Sequence, residues 1–264
     1  MDLKLADKKV FISGSTAGIG YAIAERLLKE GAEVIINGRT SEGISEAVES
    51  LKSTTGNTKI SGVVADFSKV EEVNKLIEEI SEVDILINNA GIFEPKAFVE
   101  IPDEDWFRFF EINVMSGIRL ARHFFPKMLA KNWGRIIFIS SESGVFIPDE
   151  MIHYGMTKTA QIAVSRGLAE LTKGTDVTVN TILPGPTKSR GVGAFIEDLA
   201  KSKNSTTKEV ESDFFKNMRP TSLIQRFAAV EEVADTVVYF SSPLASATNG
   251  AAIRAEGGLV KSLL

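Results

Sequence analysis

The chain has 264 residues, 44% apolar and 25% charged, which is the composition of an ordinary globular protein with room for one full α/β core. Its net charge of −5 is spread along the chain with no basic block, so nothing in it marks a nucleic-acid or anionic-membrane surface. It has no cysteine and only His123 and His153, which excludes disulfides, thiol catalysis and thiolate metal sites and argues against an imidazole-rich one.

The first nine residues are charged and lack a signal-peptide apolar stretch, and no apolar run approaches the roughly 20 residues that span a bilayer; a cytoplasmic protein is expected. Residues 10–12 read as a short buried strand that runs into Ser13-Gly14-Ser15-Thr16-Ala17-Gly18-Ile19-Gly20 and then a helical pattern over 19–29. A strand over 33–37 ends in Asn37-Gly38-Arg39-Thr40 and is followed by a helix over 42–52. Strand 60–65, helix 70–80 and strand 84–88 come next, then a long helix over 104–131. Strand 135–140, helix 156–172 and strand 177–183 complete the regular alternation. Residues 184–220 break it: the stretch is polar, with one short helix expected around 214–218. At a strand's carboxyl end it reads as a substrate lid over 186–220, the plain alternative being a solvated insertion. Helix and strand patterns resume at 230–241 and 251–254. Strands separated by helices predict βαβ units, a doubly wound parallel sheet with helices on both faces, and ligands at the strands' carboxyl ends. No repeat and no second domain is visible, so residues 1–264 read as one domain.

Glycines at a first strand-to-helix junction let the backbone turn tightly and approach a pyrophosphate, whose charge meets the helix N-terminus. The spacing here is G-x-x-x-G-x-G, and a tight turn alone would explain it equally well. Other motifs follow in order: Asn88-Asn89-Ala90-Gly91 at the end of the fourth strand, Asn113 in the long helix, and Ser141 at the end of the fifth strand. Tyr154-Gly155-Met156-Thr157-Lys158 comes thirteen residues after Ser141, and Pro184-Gly185 closes the sixth strand. Tyr154 and Lys158, four apart, share a helix face. A free phenol, with a pKa of about 10, is a poor base at neutral pH. An ammonium beside it stabilises the phenolate and tunes the tyrosine for proton transfer.

Together these motifs resemble the short-chain dehydrogenase/reductase family over nearly the whole chain. Ser13 stands where that family usually has threonine, and Pro186-Thr187-Lys188-Ser189 departs from its usual residues after the Pro-Gly pair. The resemblance implies a Rossmann-type, mainly seven-stranded parallel sheet and an NAD(P)-dependent oxidoreductase that moves a hydride between a nicotinamide and a carbonyl or secondary alcohol. Its catalytic set is Asn113, Ser141, Tyr154 and Lys158: Tyr154 is the acid or base, Ser141 donates to the substrate oxygen, Lys158 holds the ribose, and Asn113 holds a water linking Lys158 to solvent. The cofactor set is Gly14, Ser15, Thr16, Gly18, Ile19, Gly20, Asn37, Arg39, Thr40, Asp66, Asn88, Asn89, Ala90, Gly91, Tyr154, Lys158, Pro184, Gly185, Thr187 and Ser189. Because no acid ends the second strand, and Arg39 can pair with a 2′-phosphate, NADP is expected as cofactor, with NAD possible; Arg39 as a solvated turn residue or an adenine-stacking one is the alternative. The partners implied are a small carbonyl or alcohol substrate and further copies of the chain, as a tetramer or dimer, with no nucleic acid and no membrane.

A 3-oxoacyl-thioester reductase is an alternative within the class. A dinucleotide-binding sensor without catalysis is one outside it, although the serine, tyrosine and lysine are all in place. Trp106, Phe107, Phe109, Phe110, Phe124 and Phe125 read as core or subunit packing, and His153 as a surface or interface residue. Phe93, Glu142 and the 143–151 loop fall near the expected pocket, where Val145, Phe146 and Ile147 read equally as an apolar wall or as core.

Overall fold

The strands are β1 (Lys9–Ile12), β2 (Glu33–Gly38), β3 (Ile60–Val64), β4 (Ile85–Asn88), β5 (Trp133–Ile139), β6 (Asp176–Pro184) and β7 (Ala252–Ala255), in a computed structural model that describes residues 1–202 and 204–263. All pair in parallel, in the order β3-β2-β1-β4-β5-β6-β7. Alternation along β1 shows how the sheet holds two cores. Val10 and Ile12 face one side with Ile36 and Ile87, while Phe11 faces the other with Leu86 and Phe138. The first side is covered by α1 (Gly18–Lys29), α2 (Ser41–Thr55) and α9 (Val230–Ser241), through Leu27, Ile44 and Val237. The second is covered by α3 (Val70–Glu79), α5 (Ser116–Ala130) and α6 (Ile152–Glu170), through Leu76, Phe124 and Ala169. Burial on both faces explains why these strands read as nearly unbroken apolar runs. The strand order reverses between β1 and β4, so a crevice opens at their carboxyl ends.

Two segments depart from the sequence reading. The long helix expected over 104–131 is three pieces: α4 (Asp103–Phe110), a π turn (Glu111–Met115), and α5. The wide turn forms around Asn113, whose fully buried side chain is bonded to Ile92 and Thr157. The polar stretch holds two helices, α7 (Arg190–Ser202) and α8 (Thr207–Asn217), where one short helix is expected. Their apolar residues do not join the sheet cores; Ile196, Ala200, Val210, Phe215 and Phe227 form a small cluster of their own. A capping box between Thr206 and Glu209 starts α8. Among the described residues no helix is long and apolar enough to cross a membrane, and no group of side chains is arranged to hold a metal ion.

Candidate active site

The glycine turn lies at the carboxyl end of β1. Gly14 takes a φ of +61°, in the left-handed region that favours glycine. A Cβ at Gly20 would lie 2.6 Å from both Asn89 Nδ2 and Gly14 O, so only glycine lets α1 start this close to the turn. The N-cap of α1 is Ala17, which supplies no side-chain bond, and the first turn carries no acid. The leading amides of α1 therefore lack a side-chain acceptor, and a pyrophosphate fits them.

Of the expected cofactor set, Ser15 and Asn37 build this turn together with Ser13, and Asn89 both ties it and lines the cleft. Ser13 Oγ accepts the N–H groups of Asn89 and Ala90, both at 2.9 Å, tying β1 to the loop after β4. Asn89 Nδ2 donates to Ser13 O and Gly14 O. Ser15 is fully buried and donates to Ile12 O. Asn37 is also buried: its Oδ1 accepts Gly14 N–H and its Nδ2 donates to Val63 O and Ala65 O, so it shapes the turn and has no surface left for a ligand. Asn88, 2% exposed, likewise offers the cleft nothing, and both its amide atoms lack partners among the described residues. Arg39 and Thr40 are exposed past β2. Thr40 Oγ1 accepts Gly43 N–H at the start of α2, which leaves its own hydrogen free to donate. Arg39 has no hydrogen-bonded partner among the described residues. Burial works to raise the Asp66 carboxyl, but the bonds from Ser68 and the charges of Lys69 and Arg39 outweigh it and hold Asp66 below the usual carboxylate range. Arg39, Thr40 and Asp66 thus stand together at the far end of the crevice, where Gly38 packs against Thr16 of the glycine turn.

At the near end is a cavity of about 710 Å³ lined by Ser141, Tyr154 and Lys158, by Ile19, Asn89 and Gly91 on the crevice side, and by Pro184, Gly185, Thr187 and Ser189 after β6. Helices α7 and α8 close its far wall with Ile196 and Phe214, beside Met218 just after α8. Ser141 caps a short turn, its Oγ accepting Ser143 N–H at 3.1 Å. Helix α6 begins at Ile152, earlier than the 156 expected, so Tyr154 sits in its first turn, edge-on to Phe93 with ring centroids 6.3 Å apart. A Cβ at Gly91 would come within 3.5 Å of Lys158 Nζ, so glycine keeps the floor of the crevice open there.

Lys158 is 4% exposed, and burial holds its pKa down to about 7, opposed by the charge of Glu142. Burial also pushes Tyr154 well above a free phenol; the Glu142 charge adds to this and the bond from Ser141 opposes it. Lys158 Nζ donates to Ile139 O at 3.0 Å and Gln161 Oε1 at 3.1 Å. Gln161 Nε2 in turn donates to Asn113 O at 2.6 Å. Gln161 thus joins Lys158 to the carbonyl of Asn113. Asn113 itself stays out of the cavity: Oδ1 accepts Ile92 N–H at 2.7 Å and Nδ2 donates to Thr157 Oγ1 at 3.0 Å, so it fixes the loop after β4 against α6. Gln161 is absent from the sequence reading, yet it lies three residues after Lys158 and so repeats the face of α6 that carries Tyr154 and Lys158.

Arg219, just past α8, was also unforeseen. It is 6% exposed, with Nη2 3.0 Å from Glu150 Oε1 and Nε 3.8 Å from Glu142 Oε1. Two other expectations change. His153 is fully buried, 4.1 Å from the Phe109 ring and 6.0 Å from Trp106, and is neither a surface nor an interface residue. Burial holds its pKa down. Val145, Phe146 and Ile147 are exposed and lie outside the cavity wall, which takes Ser143, Glu150 and Met151 from that loop. Phe107 is 75% exposed, whereas Phe109, Phe124 and Phe125 are core.

Comparison with known proteins gives consistent relatives. The short chain dehydrogenase family model matches residues 8–200. The uncharacterized oxidoreductase YvrD of Bacillus subtilis (strain 168) is 52% identical, with 100% of both chains covered. The 3-oxoacyl-[acyl-carrier-protein] reductase FabG of Aquifex aeolicus (strain VF5) is 32% identical over 98% of this chain and 100% of its own. Among solved structures, L-sorbose reductase from Gluconobacter frateurii, complexed with NADPH and L-sorbose, superposes with a TM-score of 0.93 at 32% identity, 100% of each chain being covered.

Proposed function

Because the chain belongs to the short-chain dehydrogenase family, we propose that this oxidoreductase reduces a small ketone to a secondary alcohol at the expense of NADPH. The observation that carries the reading is the convergence of Ser141, Tyr154 and Lys158 on one cavity at the sheet's switch point. The bound nicotinamide supplies the hydride that reaches the carbonyl carbon. Tyr154, kept protonated by burial, gives its phenolic proton to the carbonyl oxygen. Ser141 donates to the same oxygen and stabilises charge there as it develops. Lys158 lies beneath the Tyr154 ring, 5.6 Å from its centroid, where an ammonium eases proton loss and can reach the ribose hydroxyls. Arg39 and Thr40 receive the 2′-phosphate; the NADPH in the related L-sorbose reductase supports this choice of cofactor.

Helices α7 and α8 act as the lid. Exposed Phe98, Val99 and Phe107 near α4 support a homo-oligomer, to be read from the mass in solution. The test of function is NADPH oxidation against a panel containing L-sorbose, ethyl 3-oxobutanoate, a 3-oxoacyl thioester and an aryl ketone. Tyr154→Phe should fold, bind NADPH and lose about 10²- to 10⁴-fold in turnover. Near-native turnover by that variant would overturn the assignment, and a wild type inert towards every ketone would overturn the reaction.

A further inference from the structure

Glu142 is a buried carboxyl in the cavity wall for which the reaction above has no use. It follows Ser141, is 5% exposed, and its Oε2 lies 2.5 Å from Ser141 Oγ. A serine hydroxyl has one hydrogen and two lone pairs. One lone pair of Ser141 already accepts Ser143 N–H. If Glu142 is a carboxylate it can only accept, so it takes the serine's one hydrogen and leaves a lone pair facing the substrate carbonyl. If Glu142 carries a proton, the direction of that bond reverses. We propose that Glu142 works protonated, donating from Oε2 to Ser141 Oγ, so that the serine's single hydrogen is directed to the substrate oxygen. Glu142 is then a positioning residue, acting through Ser141.

The surrounding charges suit that state. The charged and titratable groups facing Glu142 are Arg219 after α8, Glu150 from the turn before α6, and Tyr154 and Lys158 on α6. Arg219 lies between two carboxyls and stands closer to Glu150, at 3.0 Å against 3.8 Å. Its charge is thus largely met before Glu142 is counted. Burial pushes the Glu142 carboxyl above the usual range, outweighing its bond to Ser141, the charge of Arg219 and the bonds from the Ser143 backbone and side chain. An ionised Glu142 would also oppose the negative charge that forms on the substrate oxygen.

The inference rests on the ketone-reductase reading, so one of its tests needs no substrate. In infrared spectra of the wild type, a protonated-carboxyl band should persist at pH values where ordinary carboxyls are ionised, and it should be missing from Glu142→Gln. No such band, or one unchanged by the substitution, would overturn the proposal whatever the enzyme reduces. If the variant does not fold, the pH-induced difference spectrum of the wild type alone still decides the point. The second test is kcat/KM for NADPH-driven reduction of L-sorbose or, if that is inert, of ethyl 3-oxobutanoate. Glu142→Leu, which leaves Ser141 without a donor, should lose about 10- to 100-fold. Glu142→Gln, whose amide donates as the neutral acid does, should recover most of that loss. The wild-type profile should fall with two ionisations as pH rises, Glu142 and Lys158, and the Gln variant with one. A Gln variant as slow as Leu, or one that keeps both ionisations, would refute the assignment. A wild type inert to both ketones would sink the reductase reading alone and leave the infrared result standing.

Discussion

Lys158→Met should make the ligand-free protein more stable while abolishing turnover. Burial holds this lysine at about 7, against 10.5 for a free one. The gap, at about 1.4 kcal/mol per pKa unit, makes the buried lysine unfavourable by roughly 4 to 5 kcal/mol near neutral pH. Methionine fills similar space without a charge, but it forfeits the bonds to Ile139 O and Gln161 Oε1, each worth about 1 kcal/mol. The net gain is roughly 2 to 3 kcal/mol at neutral pH, or about 5 °C in Tm for a chain of this size. The sign of the pH dependence follows from proton uptake. Between about 7 and 10.5 the unfolded chain binds more protons at this site than the folded one, so wild-type stability rises with pH through that window. The advantage of the methionine variant should therefore be largest at or below pH 7 and shrink toward pH 10. Urea unfolding of both proteins across that range, without cofactor, reads the difference directly. A variant less stable than wild type at pH 7, or an advantage that grows with pH, would refute this account of Lys158.

Two further outcomes are expected. Arg39→Ala should cut NADPH affinity by about 10- to 100-fold and leave NADH affinity nearly unchanged, since only the 2′-phosphate pairs with the guanidinium; dissociation constants for both nucleotides check this, and equal losses would mean that Arg39 only packs on adenine. Residues 186–220 should exchange amide hydrogens faster without NADPH than with it, and strong protection in both states would count against a lid.

The parts of this fold that can be read from the sequence are those set by local rules. The apolar runs of the strands, the glycines before α1 and the spacing of Tyr154 and Lys158 all survive translation into coordinates because each depends on residues close in the chain. Helices α7 and α8 obey local rules too: Val192, Ile196 and Leu199 pack on one side, and Thr206 with Glu209 marks a helix start. Their polar composition masks that pattern, because a helix pair with its own small cluster needs few apolar residues. What no local rule supplies is long-range partnership. Asn37 and Asn88 look like ligand contacts until Val63, Ala65 and Gly117 are seen packed against them. Arg219 reaches the site only because the chain turns back after α8, next to Glu142 and Glu150.

The π turn constrains how this chain can change in length. A π turn accommodates one residue more than an α-helical turn, and one residue is about 100° of rotation about the helix axis. Before the turn, Phe109 points at His153; after it, Leu120, Phe124 and Met128 point into the core beneath the sheet. Losing one residue between Glu111 and Met115 would restore a regular helix with both faces still in register, because the wide turn takes up that residue within a single turn. It would, however, displace Asn113, the anchor between the loop after β4 and α6. A deletion here would therefore spare the packing of the core and cost the placing of the site: the wide turn is kept for Asn113, not for the helix faces that it joins.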